Sequence, residues 1–195
     1  MPDGGRLTPA VGGLGAGVVS LANCITLARL CCVPLAVWLI LRQHMALAFW
    51  LFLGAGLSDA LDGWLARRHG GSMVGAMLDP IADKALLVSM YVTLAATGRL
   101  PDALAILVVF RDLLIIGGVL ALSVLGLPLR IAPLRLSKLN TVLQIALVAD
   151  SLLLAAFPPI GLAQPGAAIT ALIWLVGAST ILSGAAYVLA TARQR

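Results

Sequence analysis

The run Asp59-Ala60-Leu61-Asp62-Gly63-Trp64-Leu65-Ala66-Arg67 is followed, seven residues on, by Gly75-Ala76-Met77-Leu78-Asp79-Pro80-Ile81-Ala82-Asp83-Lys84. Four of the chain's eight acidic residues, all of them aspartates, fall within these 25 positions of a 195-residue sequence that is 61% hydrophobic. A carboxylate in or near a bilayer costs roughly 2.5–3.5 kcal/mol on insertion scales. Four together repel one another and become protonated unless a cation neutralises them. A divalent metal does so, and it points to chemistry on phosphates. Asp59 and Asp62 are three apart and Asp79 and Asp83 four apart. On helices both intervals keep the pair on one face, within about 60°. Gly63, Ala66 and Gly75 stand at helical intervals from these carboxylates, where small side chains clear room for a bulky ligand. Two facing helices with two carboxylates each offer all-oxygen coordination, which suits Mg²⁺ or Mn²⁺ (one or two ions) better than Zn²⁺.

The rest of the chain reads as one membrane domain, residues 1–195, with a mean hydropathy of +1.06. Apolar stretches of about 20 residues, long enough to span a bilayer, fall at Ser20–Leu41, Ala46–Ala66, Met73–Ala96, Ala103–Leu125, Asn140–Phe157 and Gly166–Ala190. The expected fold is therefore an all-α integral membrane protein with six transmembrane helices. Pro80 is expected to bend the third. Eight basic residues (Arg6, Arg67, Arg68, Arg130, Arg135, Lys138, Arg193, Arg195) lie at the termini and in alternate loops, against Arg42 and Arg99 in the opposite loops. That bias sets both termini inside, N-in/C-in, and puts the aspartates near the cytoplasmic face. The net charge of +5 suits anionic lipid headgroups, and no nucleic-acid-binding module is visible. Arg6 and the run to Cys24 superficially resemble a lipoprotein signal, but Asn23 suits cleavage poorly and the apolar pattern continues, so cleavage is not expected. Cys24, Cys31 and Cys32 form no metal-ligand spacing and are expected to be small buried hydrophobes.

At every fixed position the two aspartate runs match D-x-x-D-G-x-x-A-R and G-x-x-x-D-x-x-x-D, and the chain resembles the CDP-alcohol phosphatidyltransferase family along nearly its whole length. The intervening gap is one residue short of the common form, which shortens the turn expected over Arg68–Ser72 and leaves both helical faces intact. The resemblance implies transfer of a phosphatidyl group from CDP-diacylglycerol to an alcohol, with release of CMP. It assigns Asp59, Asp62 and Asp79 to metal binding and Asp83 to both metal binding and general-base work. Gly63, Ala66, Arg67 and Gly75, with Asp59, Asp62 and Asp79, would line the CDP pocket. Asn23 and Arg29, which resemble the family's P-N-x-x-T-x-x-R element with Ala22 for the proline, would lie near the nucleotide. Arg111 and Lys138, with Arg135 close by, would face the acceptor. The acceptor looks most like phosphatidylglycerol, giving cardiolipin, with glycerol-3-phosphate close behind and inositol-phosphate, serine or choline acceptors further off. The resemblance also implies a homodimer among membrane lipids, in a bacterial inner membrane.

Other polar residues have plainer readings. Arg111-Asp112 also reads as a local ion pair or a snorkelling arginine, and Lys138 as a topology determinant. Lys84 is expected to offset the charge of Asp83. Asp150 reads as a protonated or helix-paired carboxyl, and His69 as a loop residue. A cation transporter would also carry intramembrane carboxylates, but spread over several helices and depths; here only Asp150 lies deep and apart from the cluster.

Overall fold

The computed structural model describes residues 21–69, 73–124, 135–158 and 166–192. All of the secondary structure there is helical: α1 (Leu21–Leu41), α2 (Met45–His69), α3 (Met73–Ala96), α4 (Asp102–Val124), α5 (Arg135–Ala156) and α6 (Gly166–Ala192). Leucine- and alanine-rich runs favour the helix, and a helix satisfies every backbone polar group within itself, as an apolar environment demands. A helix lies over each of the six expected apolar stretches. α5 begins five residues before the expected Asn140, because Arg135, Ser137 and Lys138 form its first turn instead of a loop. α2 runs past Ala66 to His69, so His69 ends a helix. α3 is continuous through Pro80.

Two turns have the same construction. The amide of Arg99 donates to the Leu94 carbonyl and that of Gly98 to Ala95; likewise His44 donates to Leu39 and Gln43 to Ile40. This paired pattern closes a helix when the residue after it turns left-handed, and Gly98 (φ 71°) and Gln43 (φ 61°) do so. Glycine adopts this conformation freely. Gln43 does not, and its side-chain oxygen accepts a hydrogen bond from Arg99 Nη2 at 2.9 Å. That bond joins the α1–α2 turn to the α3–α4 turn, so both lie at one end of the bundle. Arg42 stacks over Trp38 at 6.0 Å at the same end.

α3 packs against α1, α4 and α5, while α2 packs on α1 and α5, and α6 on α4 and α5. Ile40, Tyr91, Leu94, Val108 and Leu147 are enclosed completely. Large apolar side chains also cover the outside: Trp174 is 75% exposed, Ile106 68% and Phe110 63%. An exterior this apolar suits contact with hydrocarbon or with a partner surface. α5 over Leu136–Ala156 and α6 over Gly166–Leu189 are, among the described residues, the two helices long and apolar enough to cross a membrane. The cysteines depart from expectation. Cys31 is exposed on α1 and Cys32 partly so, because that face of α1 turns outward, where a small apolar thiol is as much at home as in the core. The side chain of Cys24 lies outside the described residues.

Candidate active site

The helix backbones place the aspartate runs at one end of the bundle. α2 carries Asp59 and Asp62 toward its C-terminus, and α3 carries Asp79 and Asp83 in its first half. The helix is unbroken through all four positions, so the three- and four-residue intervals keep each pair on one helical face. The side chains of Asp59, Asp62, Gly63, Ala66, Arg67, Gly75, Asp79 and Asp83 lie outside the described residues, as do those of Asn23 and Arg135. Among the described side chains no group of three His, Cys, Asp or Glu forms a metal site. The donor set on the two helices, all carboxylate oxygen in two same-face pairs, fits a hard divalent cation.

Next to Asp83 along α3 a buried polar cluster begins. Lys84 Nζ lies 2.7 Å from Asp112 Oδ2 on α4, and Arg111 Nη1 lies 2.7 Å from Asp112 Oδ1. Arg111 Nη2 also donates to Ser137 Oγ of α5 and Ser183 Oγ of α6, each at 2.7 Å. Four helices therefore meet on one carboxylate and one guanidinium. The carboxylate that the structure gives Lys84 is that of Asp112, 28 residues on, a partner that no local spacing announces. Arg111 is indeed paired with its neighbour Asp112, but it is 4% exposed and reaches two further helices. Nη1 and Nη2 are committed, and only Nε has no partner among the described residues. Lys138 is exposed near the start of α5.

A second polar seam, unnoticed in the sequence, runs between α5 and α6. Asn140 Oδ1 accepts hydrogen bonds from Ser179 Oγ at 2.7 Å and Thr180 Oγ1 at 2.9 Å. One turn along, Gln144 is fully buried, and its backbone carbonyl accepts from the Tyr91 hydroxyl of α3 at 3.2 Å. The available signal was the four-residue step from Asn140 to Gln144, matched by that from Ser179 to Ser183 on an otherwise apolar helix. Asp150 is partly buried on α5.

Between α1, α2, α3 and α5 lies a cavity of 380 Å³. Phe52, Leu57, Leu87 and Ile145 supply apolar wall, and among the described residues Arg29 and Lys84 are the cations in its lining. Arg29 is 3% exposed. An apolar slot of this size with few, placed charges is the form of a ligand pocket, and these two charges suit an anionic amphiphile.

The sequence pattern of the CDP-alcohol phosphatidyltransferase family matches residues 19–191. The chain belongs to this family. It is 34% identical, over 203 residues and 95% of its own length, to a CDP-diacylglycerol–glycerol-3-phosphate 3-phosphatidyltransferase of Oryza sativa subsp. japonica, of which it covers 61%. It is 34% identical over 186 residues (87% of this chain, 31% of the relative) to a cardiolipin synthase (CMP-forming)/mitochondrial hydrolase fusion protein of Schizosaccharomyces pombe. To a cardiolipin synthase (CMP-forming) of Streptomyces coelicolor it is 38% identical over 112 residues, covering 53% of this chain and 52% of the relative. The chain thus spans less than two thirds of each of these relatives. The relatives similar to it thus include both cardiolipin synthases and a CDP-diacylglycerol–glycerol-3-phosphate 3-phosphatidyltransferase.

Proposed function

We propose that this enzyme transfers the phosphatidyl group of CDP-diacylglycerol to a hydroxyl of phosphatidylglycerol, giving cardiolipin and CMP. The family match together with the complete double aspartate motif carries this reading. Asp59, Asp62, Asp79 and Asp83 would hold one or two Mg²⁺ or Mn²⁺ ions, which when bound neutralise the pyrophosphate and stabilise the departing CMP. Arg67, with Gly63, Ala66 and Gly75, admits the nucleotide, and Asn23 and Arg29 lie toward it. Asp83 takes the proton from the acceptor hydroxyl as its oxygen attacks the phosphatidyl phosphorus. A phosphorus–oxygen bond forms to the acceptor, and the bond to CMP breaks. Arg111, Arg135 and Lys138 belong to the acceptor side. There the fork of Arg111 holds the wall together, and Lys138 is open to an incoming phosphate. The 380 Å³ cavity, walled by apolar side chains and reached by two cations, suits lipid substrates that enter sideways from the bilayer.

Glycerol-3-phosphate is the second reading for the acceptor, favoured by the similarity to the Oryza enzyme along 95% of this chain. One assay separates the two. Purified protein receives CDP-diacylglycerol and Mn²⁺ or Mg²⁺ with either acceptor, and the lipid products are resolved. Cardiolipin is the expected product, and EDTA should abolish it. Product from glycerol-3-phosphate alone would overturn the acceptor assignment and leave the phosphatidyl-transfer chemistry standing. CMP release without a divalent metal would remove the metal.

All six helices are proposed to span a bacterial inner membrane, N-in/C-in, in a homodimer. The eight-to-two distribution of basic residues supports the orientation. A cysteine placed in the Pro158–Pro165 loop of a cysteine-free variant should label from outside with an impermeant thiol reagent. One placed between His69 and Met73 should label only after permeabilisation. The opposite pattern would place the aspartates on the wrong side for a cytoplasmic nucleotide.

A further inference from the structure

Asp112 serves two cations with one carboxylate: Lys84 on Oδ2 and Arg111 on Oδ1, each at 2.7 Å. Among the described residues the cluster therefore keeps one net positive charge. The two cations are not equivalent. Arg111 is 4% exposed and fastened to two serines besides, whereas Lys84 is 29% exposed and lines the 380 Å³ cavity. An ammonium has three donors, and Asp112 takes one. Lys84 thus has hydrogen-bonding capacity to spare, in a wall that is largely apolar beside Arg29 and Thr141, at the backbone position next to Asp83.

We propose that Lys84, held in place by Asp112, binds the phosphate carried by the acceptor. This rests on the phosphatidyl-transfer reading above. Phosphatidylglycerol and glycerol-3-phosphate share the chemistry that matters here: a three-carbon glycerol with a phosphate at one end and the reactive hydroxyl at the other. Consecutive residues of a helix diverge by about 100°, so neighbouring side chains reach two different points of a ligand. A glycerol bridges them, its hydroxyl at Asp83 and its phosphate at Lys84. Lys84 is then a binding residue and Asp112 a positioning residue. A free lysine side chain loses rotamer entropy on engaging a phosphate. With the ammonium already fixed by Asp112, much of that loss is incurred before the acceptor arrives.

The role of Asp112 has a distinctive sign. Asp112→Asn raises the net charge of the cluster from one positive to two, so simple electrostatics makes an anionic acceptor bind more tightly. Positioning makes it bind more weakly. The experiment uses the full-length enzyme in mixed micelles with CDP-diacylglycerol and saturating metal, in parallel arms with phosphatidylglycerol and with glycerol-3-phosphate; the arm in which the wild type turns over is read. Lys84→Met should raise the acceptor KM about tenfold or more, the loss of one charge-assisted hydrogen bond, while the donor KM stays within about twofold. Lys84→Arg keeps the charge and should recover most of the loss. Asp112→Asn should raise the acceptor KM about fivefold, and Asp112→Asn combined with Lys84→Met should be no worse than Lys84→Met alone, since coupled residues are non-additive.

An unchanged acceptor KM in Lys84→Met, or a rise confined to the donor KM, overturns the assignment of Lys84. A lower acceptor KM in Asp112→Asn, or fully multiplicative effects in the double variant, overturns positioning. If Lys84→Met shows no turnover, equilibrium binding of tritiated glycerol-3-phosphate or phosphatidylglycerol in nanodiscs gives the same answer: a weakened Kd with CDP-diacylglycerol affinity retained supports the proposal, and an unchanged Kd overturns it. Failure of the wild type in both arms would count against phosphatidyl transfer itself.

Discussion

Asp83→Asn should lower turnover by about 10²–10⁴-fold, the range a general base supplies, while CDP-diacylglycerol binding stays close to that of the wild type. The amide keeps the shape of the carboxylate and one oxygen for a cation, but it cannot take the hydroxyl proton. The loss should therefore fall on kcat and leave the donor KM nearly alone. Single-turnover release of CMP and calorimetric binding of the donor measure the two separately. Asp79→Ala gives the contrast, because removing a ligand outright should weaken Mn²⁺ and nucleotide binding together. Asp83→Asn turning over within tenfold of the wild type would take Asp83 out of the base role. Equal Mn²⁺ affinity in Asp79→Ala and the wild type would count against a shared metal site.

The helices were legible because each is a run of apolar residues of bilayer length, and hydropathy averages over the whole run. Its weak point was the start of α5. Arg135, Ser137 and Lys138 read as a loop, yet a helix end near a headgroup region carries such residues without cost. The length of α2 was missed for the same reason at Arg67, Arg68 and His69. In the candidate site, the four aspartates announced themselves by interval, since same-face spacing is a local property of a helix. Lys84 did not. Its ion pair with Asp112 crosses a helix–helix contact that exists only once α3 and α4 pack. The pairing of Arg111 with Asp112 was visible as adjacency, whereas its bonds to Ser137 and Ser183 were not, and these make it a junction. Serines inside apolar helices are ambiguous in sequence, because they commonly bond back to their own helix, as Ser151 does to the Leu147 carbonyl at 2.7 Å.

Arg111→Met should destabilise the bundle by about 3 kcal/mol, the lower end of the range for removing one member of a buried ion pair. The side chain is 4% exposed and Asp112 3%, so water cannot replace the lost guanidinium. Three contacts disappear at once: those to Asp112, Ser137 and Ser183. The serines can turn to carbonyls of their own helices, which limits their share. Asp112 keeps Lys84 on Oδ2, which limits the electrostatic share, but Oδ1 is left buried with no donor. α4 also loses the tie from Arg111 to Ser183 of α6, while the Tyr187 hydroxyl still donates to the Ile115 carbonyl at 3.4 Å. For a protein of this size about 3 kcal/mol corresponds to a melting temperature lower by roughly 6–12 °C, read by thermal unfolding in detergent. Arg111→Lys should fall between the two, because an ammonium lacks the planar fork that meets three partners on three elements. A melting temperature for Arg111→Met within about 2 °C of the wild type, with a raised acceptor KM, would mean that the guanidinium serves the acceptor and not the bundle.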